Sequence, residues 1–162
     1  MLTLRIDFPH GVYRAAEPAC EGEPEWPPAP DRVYQALVAS ACAQGLDPTP
    51  LQTLEHPPML WLHAAERMHT GTNFVPGAFL DSDGLGGKQH KRVQRHRPEV
   101  RIGAPVFLCW TDADPGLGPW LGPVAAGVDY LGRSDSPAII TLCDAGNGGL
   151  HKLSPHPDGE HS

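Results

Sequence analysis

LTLRIDF, residues 2–8, alternates with period two. Leu2, Leu4, Ile6 and Phe8 fall on one side, and Thr3, Arg5 and Asp7 on the other. That is the pattern of a half-buried strand. The period changes in residues 31–44, DRVYQALVASACAQ, where Val33, Tyr34, Leu37, Val38 and Ala41 recur on one helical face. Asp31 after Pro30 suits the start of this helix, and Gly45 suits its end. Residues 58–63 (PMLWLH) and 105–111 (PVFLCWT) predict short buried strands. Residues 117–131 predict a helix from about Pro123, with Val124, Val128 and Leu131 on one side. Residues 138–143 (AIITLC) predict a last buried strand. The order is βαββαβ, an α+β ferredoxin-like (RRM-type) sheet, the architecture that includes the RNA-recognition module.

Between the second and third strands, residues 64–104 are polar, glycine-rich and then basic, and too long for a simple loop. They predict an inserted arm or hairpin. Residues 9–30 predict a loop whose glutamates (Glu17, Glu21, Glu23, Glu25) form a solvated surface. The chain thus reads as one domain over 1–143, with the insertion at about 64–104. Residues 144–162 read as a polar, disordered tail with no core.

Charge is unevenly placed. Residues 88–101, KQHKRVQRHRPEVR, hold Lys88, Lys91, Arg92, Arg95, Arg97 and Arg101, half of the 12 Lys+Arg, against the single acid Glu99. The strip carries +5 and the remainder of the chain −12, giving −7 overall. A local cation cluster on an acidic chain points to a polyanion contact rather than general stickiness. The plainer alternative is a solvated charged loop. Aromatic side chains able to stack bases are Tyr13, beside Arg14, and Phe74 in the insertion. Arg133, in the polar turn Gly132–Ser136, offers a fork for a phosphate. A surface pair with Asp135 is the alternative.

Several chemistries are disfavoured. GLGGK at 84–88 lacks the P-loop pattern, with Ser82 where the first glycine belongs and Gln89 where Ser or Thr belongs. No GxSxG, HExxH or paired-carboxylate signature occurs. Asp112 and Asp114 read as turn residues beside Pro115. The four cysteines show no CxxC: Cys42, Cys109 and Cys143 are expected as small core residues and Cys20 in a loop. His151, His156 and His161 do not stack on a helix face, so no metal site and no cofactor is expected. No apolar run approaches the roughly 20 residues that span a bilayer, and residues 1–10 lack a signal-peptide core, so a cytoplasmic protein with no membrane contact is expected.

Three stretches together, FPHGVYRA (8–15), EWPPAPDRVYQALVASA (25–41) and YLGRSDSP (130–137), resemble the N-terminal part of the CRISPR-associated Csb-two family of type I-U/I-G systems, a Cas-five/Cas-six fusion. HRPEVRI (96–102) is consistent with it. The resemblance implies a Cas-five-like RNA-binding domain that holds the 5′ handle of CRISPR RNA in antiviral defence. The implied partners are the Cascade backbone and large subunits and a separate processing nuclease. Lys88, Lys91, Arg92, Arg95, Arg97 and Arg101 are then the phosphate contacts. Tyr13 and Phe74 are the base contacts, and Arg14 and Arg133 position the RNA backbone. Family members are longer, and no second ferredoxin-like repeat is read after Cys143, so no catalytic residue is carried over. The alternatives are a metal-independent repeat endoribonuclease using His90 or His96 as general acid/base, and a protein-docking assembly module.

Overall fold

A computed structural model describes residues 1–62, 67–76 and 92–143. Its strands and helices in chain order are β1 (Leu2–Asp7), β2 (Val12–Tyr13), β3 (Ala16–Glu17), β4 (Cys20–Pro24), α1 (Pro30–Ala43), β5 (Met59–Trp61), β6 (Arg67–Pro76), β7 (Arg92–Arg101), β8 (Val106–Trp110), α2 (Gly118–Ala126) and β9 (Ile139–Cys143). The four-stranded sheet runs β5-β8-β1-β9, antiparallel throughout. Counting only its own strands, that is second, third, first, fourth, the ferredoxin-like order.

Alternation along β1 decides which face is covered. Leu2, Leu4 and Ile6 join Val106, Leu108 and Trp110 of β8 and Ile140 of β9 in one buried cluster. Val33, Leu37 and Ala41 of α1 and Leu121, Val124 and Ala125 of α2 complete it. Ser40 Oγ of α1 donates to the Val124 carbonyl at 2.7 Å, so a buried hydroxyl is satisfied at the helix contact. The end of α1 is a Schellman turn. Leu46 N–H reaches Ala41 O at 2.9 Å and Gly45 N–H reaches Cys42 O at 3.0 Å, with Gly45 at φ +71°.

Four expectations need correction. First, residues 9–30 are not a loop throughout. They hold β2, β3 and β4, although Gly22 and Pro24 have low strand propensity. Tertiary pairing overrides that propensity: β3 pairs with β4, and Thr70 Oγ1 of β6 donates to Gly22 O at 2.7 Å. Second, α2 starts at Gly118, not near Pro123. Pro119 lies in the first turn, where a missing N–H costs nothing, and Pro123 is accommodated inside the helix. Val128 and Leu131 lie beyond the helix end and are nevertheless buried. Third, Cys42 is exposed, on the outer side of α1, whereas Cys109 is buried. Fourth, Glu25 is not solvated.

Glu25 is only 2% exposed. Its carboxylate accepts from the Tyr13 hydroxyl, from Ala29 N–H at 3.1 Å, and from Arg32 Nη2 at 2.7 Å and Nε at 3.1 Å. These bonds tie β2 to the start of α1 across a turn that contains the cis Trp26–Pro27 bond. The Tyr13 ring packs between Phe8 and Trp26, with centroids 5.2 and 6.4 Å away. Burial alone raises the pKa of the Glu25 carboxyl, but the Arg32 guanidinium, the Tyr13 hydroxyl and the Ala29 amide outweigh it and hold the pKa below the ordinary 4.5. Burial, and then the bond to Glu25, raise the pKa of the Tyr13 hydroxyl above its ordinary value.

A depressed carboxyl contributes stability that is present above 4.5 and lost as pH falls through the lower folded value. Acidification from pH ~5 to ~3 should therefore destabilise the native chain more steeply than Glu25→Gln, measured as urea midpoints against pH. Glu25→Ala, which strands the buried Tyr13 hydroxyl, should cost about 1–3 kcal/mol at neutral pH. Parallel pH profiles for native chain and Glu25→Gln would contradict the assignment.

Candidate nucleic-acid interface

β6 and β7 pair antiparallel from Arg67↔Arg101 to Pro76↔Arg92, and so form a long ribbon between the second and third strands of the sheet. At its base β7 also pairs with β2, Val12↔Arg101 and Tyr13↔Val100. The basic strip is therefore a strand from Arg92 onward, not a loop. Alternation sorts its residues. Pro98 and Val100 are buried on one face, on the side where β4 packs. Arg97 and Arg101 are exposed on the other, with the partly exposed Glu99 between them. Among the described residues neither Arg97 nor Arg101 has an ion-pair partner. Arg95 has the same register parity as Arg97 and Arg101, and Arg92 the opposite one.

Opposite Glu99 on β6 is His69, which is exposed, and opposite Arg97 is Gly71. Arg14 reaches this face from the end of β2. Its Nε donates to Glu99 Oε2 at 3.3 Å and its Nη1 to the Asp135 carbonyl at 2.7 Å. Its main chain is fastened to the Gly132–Ser136 turn. Arg133 N–H donates to Arg14 O at 2.9 Å, and Arg14 N–H donates to Ser136 Oγ at 3.1 Å. The turn closes through Ser136 N–H to Arg133 O at 2.9 Å and Leu131 N–H to Ser136 O at 3.1 Å. Gly132 sits at φ +79°, and a Cβ there would collide with the Arg14 carbonyl oxygen and press on the Tyr13 ring. Arg133 Nε meets Asp135 Oδ1 at 3.2 Å, an exposed pair worth little in stability, which leaves its guanidinium accessible.

The expected site residues thus separate. Arg97 and Arg101 share one exposed face of β7, and Arg14, whose main chain is bonded to Arg133, reaches that face through Glu99. Tyr13 does not: its ring is fully buried and its hydroxyl is occupied by Glu25, so no face is open to a base. Lys88 and Lys91, with His90, lie outside the described residues. For Arg92, Arg95, His96 and Phe74 the strand backbone is described and the side chains lie outside the description. Sequence reading passed over His69 and treated Glu99 only as a charge to subtract. The alternation of RPEVR about Pro98 and Val100 was the signal that places Glu99 beside the arginines. Asp114 is a turn residue, accepting from Gly116 N–H at 2.9 Å. Among the described residues no group of His, Cys, Asp and Glu is arranged to hold a metal ion, and no helix is long and apolar enough to cross a membrane.

These features define a ferredoxin-like domain with a cation-bearing ribbon. Residues 10–71 match the family described as CRISPR-associated protein, GSU0054 family. No curated protein matches the chain. The matched interval contains Tyr13, Arg14, Glu25, Arg32, α1 and the β6 positions of His69 and Gly71, and supports a CRISPR-associated protein.

Gly132→Ala should destabilise the domain by at least about 1–3 kcal/mol, because the positive φ and the Arg14 carbonyl both oppose a side chain. Chemical denaturation reads this directly, and an unchanged midpoint would mean the turn does not hold Arg14 as described.

Proposed function

We propose that this chain is a CRISPR RNA-binding subunit of a type I-U/I-G Cascade complex, and that it holds the 5′ handle of the guide on the ribbon face. The observation that carries this reading is the pair Arg97 and Arg101, exposed on one face of a strand with no ion-pair partner among the described residues. A ribbon strand presents cations at alternate positions, a spacing suited to successive phosphates of an extended single strand. The ferredoxin-like sheet and the match over residues 10–71 support the same reading. Lys88, Lys91, Arg92 and Arg95 extend the phosphate track, and Phe74 supplies a stacking surface. Arg133 contacts the RNA backbone beside the ribbon base. Arg14, held at both ends by Glu99 and Asp135, fixes that surface in place. The chain works in the cytoplasm beside Cascade backbone and large subunits, and a separate nuclease processes the precursor.

Each phosphate neutralised on a single strand adds about −0.7 to the slope of log affinity against log salt. Arg97→Ala combined with Arg101→Ala should therefore reduce the magnitude of the slope for labelled handle RNA by about 1.4. Lys88→Ala, Lys91→Ala and Arg92→Ala together should lower it by about 2. Slopes equal to that of the native chain would refute the ribbon as the phosphate track. Cleavage of the same RNA in the presence of EDTA would instead favour the endoribonuclease.

A further inference from the structure

We propose that Glu99 and His69 form a base-reading subsite on the ribbon, and that it selects guanine in single-stranded RNA. This rests on the RNA-binding reading above and adds sequence preference to it.

The outward face of β7 carries Arg97, Glu99 and Arg101 at two-residue steps of about 7 Å each. A phosphate is attracted to either arginine and repelled by the carboxylate between them. RNA running along this face therefore places phosphates near Arg97 and Arg101, and must present something other than phosphate to Glu99. An ionised carboxylate only accepts hydrogen bonds. Guanine alone among the four bases offers two adjacent donors, N1–H and the N2 amino group, along its pairing edge. Uracil, cytosine and adenine each bring an acceptor next to their donor, and that acceptor would face the carboxylate unpaired.

The carboxylate is available and held in position. Arg14 Nε contacts Oε2 at a long 3.3 Å, and Oε1 has no partner among the described residues. Arg14 cannot swing away freely, because its Nη1 is fixed on the Asp135 carbonyl at 2.7 Å. Arg14 is thus a positioning residue for Glu99. The Arg14–Glu99 contact is partly exposed, so it contributes little to fold stability. Its consequence is to restrain the Glu99 carboxylate at its place between Arg97 and Arg101 along the strand. His69 lies directly across the ribbon from Glu99 and is exposed, offering a ring on which a base can stack. Its neighbour on the same face of β6 is Gly71, which has no side chain to occupy the space beside that ring.

Fluorescence anisotropy on the full chain at one low salt concentration tests this with three labelled probes: an oligouridylate, the same oligomer with one central guanosine, and the same with one central inosine. The guanosine oligomer should bind about tenfold tighter than the oligouridylate, as a bidentate base contact provides. Inosine keeps N1–H and lacks the amino group, so it should fall between. Glu99→Gln should abolish the preference while binding the oligouridylate more tightly, since a negative charge leaves the phosphate track. His69→Ala should weaken the guanosine oligomer about tenfold through lost stacking. Equal affinity of all three probes for the native chain would overturn the guanine subsite and leave RNA binding standing. Binding of none would overturn both. A guanosine preference that survives Glu99→Gln would overturn the assignment to Glu99.

Discussion

The buried Glu25 carboxylate is the constraint on which the placement of Arg14 at the ribbon base depends. An ionised acid at 2% exposure is tolerable only with its acceptor sites filled, and Tyr13, Ala29 and Arg32 fill them. Those donors come from a strand, a turn and the first turn of a helix. Satisfying the charge therefore fixes how the β2 segment leaves the sheet and meets α1. Arg14 follows Tyr13 directly, so the same anchor sets where the Arg14 side chain begins its reach across β7. A neutral pair of well-packed residues would stabilise as much, but would not impose that geometry with the same directional bonds.

From Tyr13 the constraint passes to the Gly132–Ser136 turn. The missing side chain at Gly132 lets the turn lie on the Tyr13 ring and on the Arg14 carbonyl. Ser136, itself fully buried, then bonds to Arg14 N–H. Three segments far apart in sequence, around Tyr13, around Gly132 and around Glu99, meet at one arginine. Its guanidinium spans the turn carbonyl and the ribbon carboxylate, so the ribbon base is coupled to the Gly132–Ser136 turn by polar bonds and to β2 by strand pairing.

β1 and α1 were legible in the sequence because each carries one uninterrupted period, two in LTLRIDF and about 3.6 in DRVYQALVASACAQ, and the other three sheet strands because each is a short apolar run bounded by turn residues. Their edges fall within a residue or two of the expectation. What was not legible depends on partners distant in sequence. EPACEGEPEW is acid-rich and proline-broken, and nothing local distinguishes the buried Glu25 from its exposed neighbour Glu23. Only the Tyr13 hydroxyl and Arg32, once folded against it, make the difference. Tyr13 misled for the same reason: an aromatic beside an arginine looks like an RNA contact, yet its hydroxyl serves a carboxylate in the interior. The Arg133–Asp135 contact was one of two alternatives open from sequence, and the two-residue spacing realises it locally.

The proposed RNA contact sets an acidic chain against a polyanionic ligand, and the ribbon bears on that conflict. Ten paired residues extend about 34 Å from the ribbon base to its far end. The Debye length at physiological salt is about 8 Å, so charges at the two ends of the paired stretch act largely independently of each other. Near the base, Arg97 and Arg101 flank Glu99 along β7, and Arg14 bridges Glu99 and the Asp135 carbonyl, so charges of both signs are felt together. In the proposed reading the far end captures phosphate by charge alone, with little regard to sequence. In the same reading the base orients what has been captured, because a ligand there must satisfy the carboxylate as well as the cations. That reading separates affinity from selectivity along one strand, and net charge, which averages over both regions, is a poor guide to either.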